Sequence, residues 1–204
     1  MKKQNLLIYT LLFLFIALIV AVVPTNAEGD IYEDTVRLHI LANSDSEADQ
    51  ELKLEIRDRV LQKYGAMLSG FKTKKEATEK ILSLTDNIKA DAEGWCSELG
   101  YSYSCRVDVG TEWYDTREYE DFTLPMGYYT SLRIIIGEGE GRNWWCVMFP
   151  PMCSGLATEK APPDDAALGY TDEEIRLIEG GGYTVKFKLL ELLSSAVRQI
   201  GKKS

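Results

Sequence analysis

Lys2 and Lys3 lead into an apolar run from Leu6 to Val23 that closes on Pro24-Thr25-Asn26-Ala27. A positive end that stays cytoplasmic, an apolar stretch that enters the bilayer, and small residues at Thr25 and Ala27 are the parts of a secretory signal. Residues 1–27 are therefore expected to be a signal peptide cut after Ala27. The alternative is an uncleaved anchor, because about 18 apolar residues suffice for a membrane helix. Both versions place everything after Glu28 outside the cytoplasm, so the fold must be found in what remains. Removing 27 of 204 residues leaves 177, enough for one compact exported domain over residues 28–204.

The leader holds two of the 23 basic residues and none of the 32 acidic ones, which leaves the domain a net charge of −11. Nucleic acid is excluded as a natural partner, since binding there rests on cationic neutralisation of phosphates. A cationic patch on another protein suits this surface better. Four cysteines, Cys96, Cys105, Cys146 and Cys153, all follow the leader. Outside the cytoplasm an even count reads as disulfides, with three pairings open. Cys96–Cys105 with Cys146–Cys153 is preferred because each closes a short loop. The eight- and six-residue gaps within these pairs do not fit the tight spacing of a zinc site.

Thr35 to Leu41 alternates Val36, Leu38 and Ile40 with Arg37 and His39, the period of a half-buried strand. Ser44 and Glu47 are spaced as a capping box for a helix whose apolar stripe runs through Leu52, Ile56 and Arg59 or Val60, widened by Leu54 and Leu61. Thr73 and Glu76 repeat the cap before Ala77, Ile81, Leu84, Ile88 and Ala92, a helix of about twenty residues ending towards Gly94. Strands are expected over 101–109, 129–136 and 144–149, the last two as an antiparallel hairpin across the turn-rich 137–143, with Pro150-Pro151 as a stop. Residues 154–170 read as a loop, Thr171 caps a short helix, Gly180-Gly181-Gly182 interrupts it, and 185–200 forms a terminal amphipathic element. The order β-α-α-β-β-β-α gives an α+β domain: a mainly antiparallel sheet with helices packed on one face.

Candidate chemistry is thin. His39 is the single histidine, and its place in a strand, with no nucleophile and orienting group to name beside it, makes it a structural or surface imidazole. Asn43, Asp45, Glu47 and Asp49 alternate like a calcium loop, yet Ala48 stands where the EF-hand needs glycine and Leu54 where it needs glutamate. Helix capping accounts for the same residues. Gly137, Gly139 and Gly141 have phosphate-loop spacing, but Glu138 and Glu140 would repel a phosphate, and a turn is the simpler account. Those two glutamates are the sharpest enzyme alternative, as the carboxylate pair of a wall-active hydrolase, although nothing beside them sets their pKa values apart. No catalytic, cofactor or metal-binding residue is assigned. Trp144 and Trp145 point to opposite faces of a strand, so one is free to meet a partner.

Two stretches carry a resemblance. Arg37-Leu-His-Ile-Leu-Ala-Asn-Ser-Asp-Ser46 with Asp49-Gln50 and Leu52-Lys53, and Asn143-Trp-Trp-Cys-Val-Met-Phe-Pro-Pro-Met-Cys153, are similar to the signature segments of the stage II sporulation protein R (SpoIIR) family, over roughly Asp34 to Cys153. The resemblance implies a non-enzymatic signal of endospore-forming bacteria. Such a protein is made in the forespore, is exported into the space between the two septal membranes, and is needed to activate a membrane-embedded aspartic protease, SpoIIGA, that processes pro-sigma-E in the mother cell. The two stretches then become candidate interaction surfaces, with Trp144, Trp145, Phe149, Asn43 and Asp45 as their prominent residues.

Overall fold

The computed structural model describes residues 2–22, 31–68, 70–119 and 122–151. The expected cleavage site, the loop over 154–170, the Thr171 cap, the glycine run at 180–182 and the terminal element over 185–200 lie outside the described residues. The N-terminal segment forms a helix, α1 (Lys2–Val22), on which Leu6, Phe13 and Phe15 stand exposed. No helix among the described residues is long and apolar enough to cross a membrane.

The domain is built on one four-stranded sheet. Its strands are β1 (Val36–Leu41), β2 (Cys105–Tyr114), β5 (Gly127–Ile136) and β6 (Asn143–Phe149), in the order β2-β5-β1-β6. Two short strands, β3 (Arg117–Glu118) and β4 (Thr123–Leu124), pair only with each other. The sheet is mixed: β1 runs parallel to β5 and antiparallel to β6, and β2 runs antiparallel to β5. Two expectations are thereby corrected. The sheet is only partly antiparallel, and β5 and β6 do not form a hairpin, because β1 lies between them. The physical reason is in the 137–142 turn, which crosses over the exit of β1. Glu140 N donates to Asn43 O and Gly141 N to Ala42 O, so the turn is fastened to β1 and carries β6 to its far side. Gly137 and Gly139 take φ of 57° and 71° there, a backbone that favours glycine.

Helices α2 (Glu47–Val60) and α3 (Lys74–Glu98) cover one face, as the sequence leads one to expect. The helix α2 continues through a π-helical turn at Leu61–Gly65 and a last turn at Ala66–Leu68. Its stripe is Leu52, Ile56 and Val60, whereas Leu54 is exposed. Ala77, Ile81, Ile88 and Ala92 of α3 join them against Val36, Leu38 and Ile40 of β1 and Leu132, Ile134 and Ile136 of β5. Each fully buried Ile or Leu contributes about 1.5–3 kcal/mol, which is why this interface holds the domain together. Thr73 caps α3 by accepting from Glu76 N, as expected. The cap of α2 is Ser46, accepting from Asp49 N, and not Ser44. Gly94 sits inside α3, which runs to Glu98 because its last turns still bury Ala92 and Cys96. Residues 101–104 are not strand. Tyr101 and Tyr103 stack there on one another and bond back to Ala48 O and to the Asp49 carboxylate.

The opposite face carries a second, smaller cluster. A helical turn at 31–34 and the β3–β4 flap bring Ile31, Tyr119, Phe122 and Leu124 over Tyr114, Tyr129 and Val147. Tyr32 donates to Met126 O and covers Gly127, where a Cβ would run into its ring.

Candidate interaction face

Strand alternation sends Arg37 and His39 of β1 away from the helices, towards this second face. The registers then line up Asp108 of β2, Arg133 of β5, His39 of β1 and Trp145 of β6 as one row across all four strands. Arg133 Nη2 binds Asp108 at 2.9 Å, and its Nη1 lies 3.4 Å from Glu112. His39 Nδ1 sits 3.2 Å from both Glu112 carboxylate oxygens, and His39 Nε2 sits 3.0 Å from Asn143 Oδ1. The His39 ring stacks on Trp145 with centroids 5.5 Å apart, and Arg117, delivered by the flap, places its Cζ 3.8 Å from the centre of the Trp145 ring. Trp145 is thus held between an imidazole and a guanidinium, half-buried.

Glu112 is the electrostatic centre of the row. Burial by itself raises its pKa, but hydrogen bonds from His39, Ser131 and Tyr114 and the His39 charge outweigh that and hold the carboxyl at about 2. Beside it Arg37 is fully buried. Its Cζ lies 4.0 Å from the Tyr114 ring centre and 5.1 Å from that of Tyr129, and Nη2 donates to Tyr119 Oη at 2.6 Å. Nε and Nη1 of Arg37 are buried without a hydrogen-bond partner among the described residues, and three aromatic faces surround the charge. Burial raises the Tyr114 and Tyr119 hydroxyl pKa values, with Arg37 opposing in both.

Chemically, the pair of Glu112 and His39 has the form of an oriented base, but the second imidazole nitrogen meets the carboxamide of Asn143. Among the described residues, no hydroxyl or thiol bonds to that nitrogen as a nucleophile would. Glu138 and Glu140 are exposed on the turn. What the face offers is a shaped aromatic and charged surface.

The first signature stretch builds a clamp. Asn43 Nδ2 and Ser44 Oγ both donate to Asp49 Oδ2, and Tyr103 Oη donates to Asp49 Oδ1. Asn43 Oδ1 accepts from Glu138 N, and Asp45 Oδ1 accepts from Arg142 N. Gln50 Nε2 donates to Ser44 O, while Lys53 Nζ donates to Gln50 Oε1 and Arg142 O. Burial tends to raise the Asp49 pKa, but the bonds from Ser44, Asn43, Tyr103 and Ser46 lower it overall. Asn43 and Asp45 are therefore engaged in fastening the β1–α2 turn to the 137–142 turn. No group of three or more His, Cys, Asp or Glu side chains among the described residues could hold a metal ion.

The second stretch lies on β6. Trp144 and Trp145 do point to opposite faces: Trp144 faces the helix side, where Arg57 Cζ of α2 lies 5.0 Å from its ring centre. Phe149 is 2 % exposed within the main core and presents no interaction surface, a correction that follows from a bulge between Val36 and Arg37 that turns the end of β6 inward. Cys146 is disulfide-bonded; its expected partner Cys153 lies outside the described residues. Cys96 and Cys105 are brought together, hydrogen-bonded through sulfur, but both are free buried thiols and not the expected bridge. Packed between α3 and β2 in the core, they are shielded from any oxidant in solution.

Sequence reasoning missed Arg37, Glu112, Arg133 and Arg117. For the first three the available signal was charge at same-phase positions of three strands, which reads as ordinary solvent exposure until the strand order is known, whereas Arg117 arrives on the separate flap.

No solved structure matches the chain. The sequence profile of the family described as Stage II sporulation protein R (spore_II_R) matches residues 32–159. The curated Stage II sporulation protein R of Bacillus subtilis (strain 168) is 32% identical over 183 residues, covering 80% of this chain and 82% of that protein. On both grounds, the chain belongs to the stage II sporulation protein R family.

Proposed function

We propose that this protein is an exported signal of endospore formation that acts by binding. It is made in the forespore, is delivered through its leader into the space between the septal membranes, and activates there the membrane-embedded aspartic protease SpoIIGA that processes pro-sigma-E. Family membership supports the sporulation role. The observation that carries the binding mechanism is Trp145, half-buried between His39 and Arg117 on the face away from the helices. A rigid aromatic flanked by an imidazole and a guanidinium is a typical interface anchor, and the Glu112 carboxylate fixes His39 in place. Activation requires that the protein bind the active arrangement of its receptor better than the inactive one, because equal affinity for both shifts nothing.

The test is Trp145→Ala in a receptor-dependent cleavage assay of the sigma precursor. Loss of about 2 kcal/mol at an anchor raises the half-activating concentration roughly 30-fold, with far-ultraviolet circular dichroism unchanged. An unaltered dose response from the folded variant rules out this face as the contact.

A further inference from the structure

Trp145 is accompanied on the outer face by hydrogen-bond donors. Arg117 is half-buried, with its Cζ 3.8 Å from the centre of the Trp145 ring. A guanidinium stacked on an aromatic ring uses its flat face there and keeps its in-plane N–H fork for an acceptor. Arg57, Arg59, Arg133 and Arg142 each pair with a carboxylate of this chain. Arg117 is paired instead with an indole, a neutral partner that attracts its charge without cancelling it. Two positions along the same face of β6, the exposed Asn143 holds His39 Nε2 through its Oδ1 at 3.0 Å. Its amide N–H groups are thereby left as donors. The carboxylates of the row are already engaged: Asp108 receives Arg133, and Glu112 receives His39, Arg133 and Tyr114. What the surroundings of Trp145 offer a partner is therefore donors and one uncancelled positive charge.

We infer that Arg117 is a carboxylate-binding fork beside the anchor: the protein that covers Trp145 presents an aspartate or glutamate to it, with Asn143 as an adjoining donor. The inference rests on the reading of Trp145 as the contact and names the chemistry of what it meets. An ionised carboxylate accepts two parallel N–H bonds from a guanidinium, and the indole beneath holds that fork in one plane before the partner arrives. A lipid phosphate carries similar oxygens but lies in a plane of negative charge. A chain with 32 acidic and 23 basic residues is repelled from such a plane. A single carboxylate set in a neutral or basic patch of protein meets no such repulsion. The acidic excess of the whole chain then favours a basic partner surface at long range, while Arg117 fixes the register at contact.

The experiment is the receptor-dependent cleavage assay with the full chain, read as the half-activating concentration at low and at high salt, with circular dichroism to show that each variant is folded. Arg117→Gln keeps a planar polar end over the indole but removes the charge and the fork. It is expected to raise the half-activating concentration about tenfold at low salt, with the gap to the wild type narrowing as salt screens the pair. Arg117→Lys keeps the charge without the fork and is expected to fall between the two. Asn143→Asp sets a negative charge beside the site and is expected to weaken activation, whereas stronger activation would show that the partner is basic there. If Trp145→Ala weakens activation and Arg117→Gln matches the wild type, the fork is overturned and the anchor stands. If Trp145→Ala has no effect, the anchor fails and the fork with it. Binding of the wild type to phosphatidylglycerol vesicles that disappears in Arg117→Gln would assign the fork to a lipid phosphate and also overturn the inference.

Discussion

Glu112 ties strands of the outer face together: it binds His39 of β1, Arg133 of β5 and Tyr114 of its own strand. Its pKa is held at about 2 against an ordinary 4.5, so the sign is that of a depressed carboxyl. The stabilisation is complete above about pH 4.5 and is lost as pH falls towards 2. Urea denaturation of the wild type and Glu112→Gln should therefore differ by about 1–3 kcal/mol near neutrality, with the gap closing only in that acid window. A gap that persists unchanged at the acid end contradicts the assignment. Arg37 makes a second residue-scale case, for Arg37→Ala empties the space between Tyr114, Tyr119 and Tyr129 and should cost about 3 kcal/mol in thermal or chemical unfolding. Neither residue's role was legible in the sequence. Alternation in β1 identifies the side of the sheet on which Arg37 lies, but the tyrosine that binds it stands 82 positions away on the flap, and no local pattern shows that a flap will cover it.

The elements themselves were far more legible than their neighbours. Apolar spacing located both helices, and the Thr73 cap and the β1 strand follow directly from local chemistry. The turn at 137–142 was misleading because a glycine-rich link between two strand patterns looks like a hairpin, and only its bonds to Ala42 and Asn43 show that it strides over β1. The start of α2 was displaced by two residues for a related reason. Ser44 and Ser46 are both competent caps, and Ser44 is drawn instead to the Asp49 carboxylate. Ser46→Ala should accordingly cost about 0.5–2 kcal/mol in thermal unfolding as the loss of an N-cap. Asn43→Ala, which unties Glu138 N and Asp49 together, should cost about 2 kcal/mol or more and loosen amide exchange across 138–142. Equal, negligible effects from both changes would mean the clamp contributes little.

At the scale of the whole molecule, one sheet separates two kinds of surface. The helix side closes a continuous apolar core, while the other side assembles Trp145, His39, Arg117, Arg133 and Glu112 under a small flap. The two signature stretches divide the same way: the first ties turns together, and the second places Trp145 on the outer face. An acidic domain with such a face fits the proposed ligand that recruits a protein partner and biases its conformation. The most direct measurement is reconstitution of pro-sigma-E cleavage with the membrane-embedded receptor protease, titrating in the purified protein. Cleavage should rise saturably with added protein, with Glu138→Gln combined with Glu140→Gln as active as the wild type. Cleavage that proceeds equally without the protein, or wall-hydrolysing activity that disappears in that double variant, would contradict it.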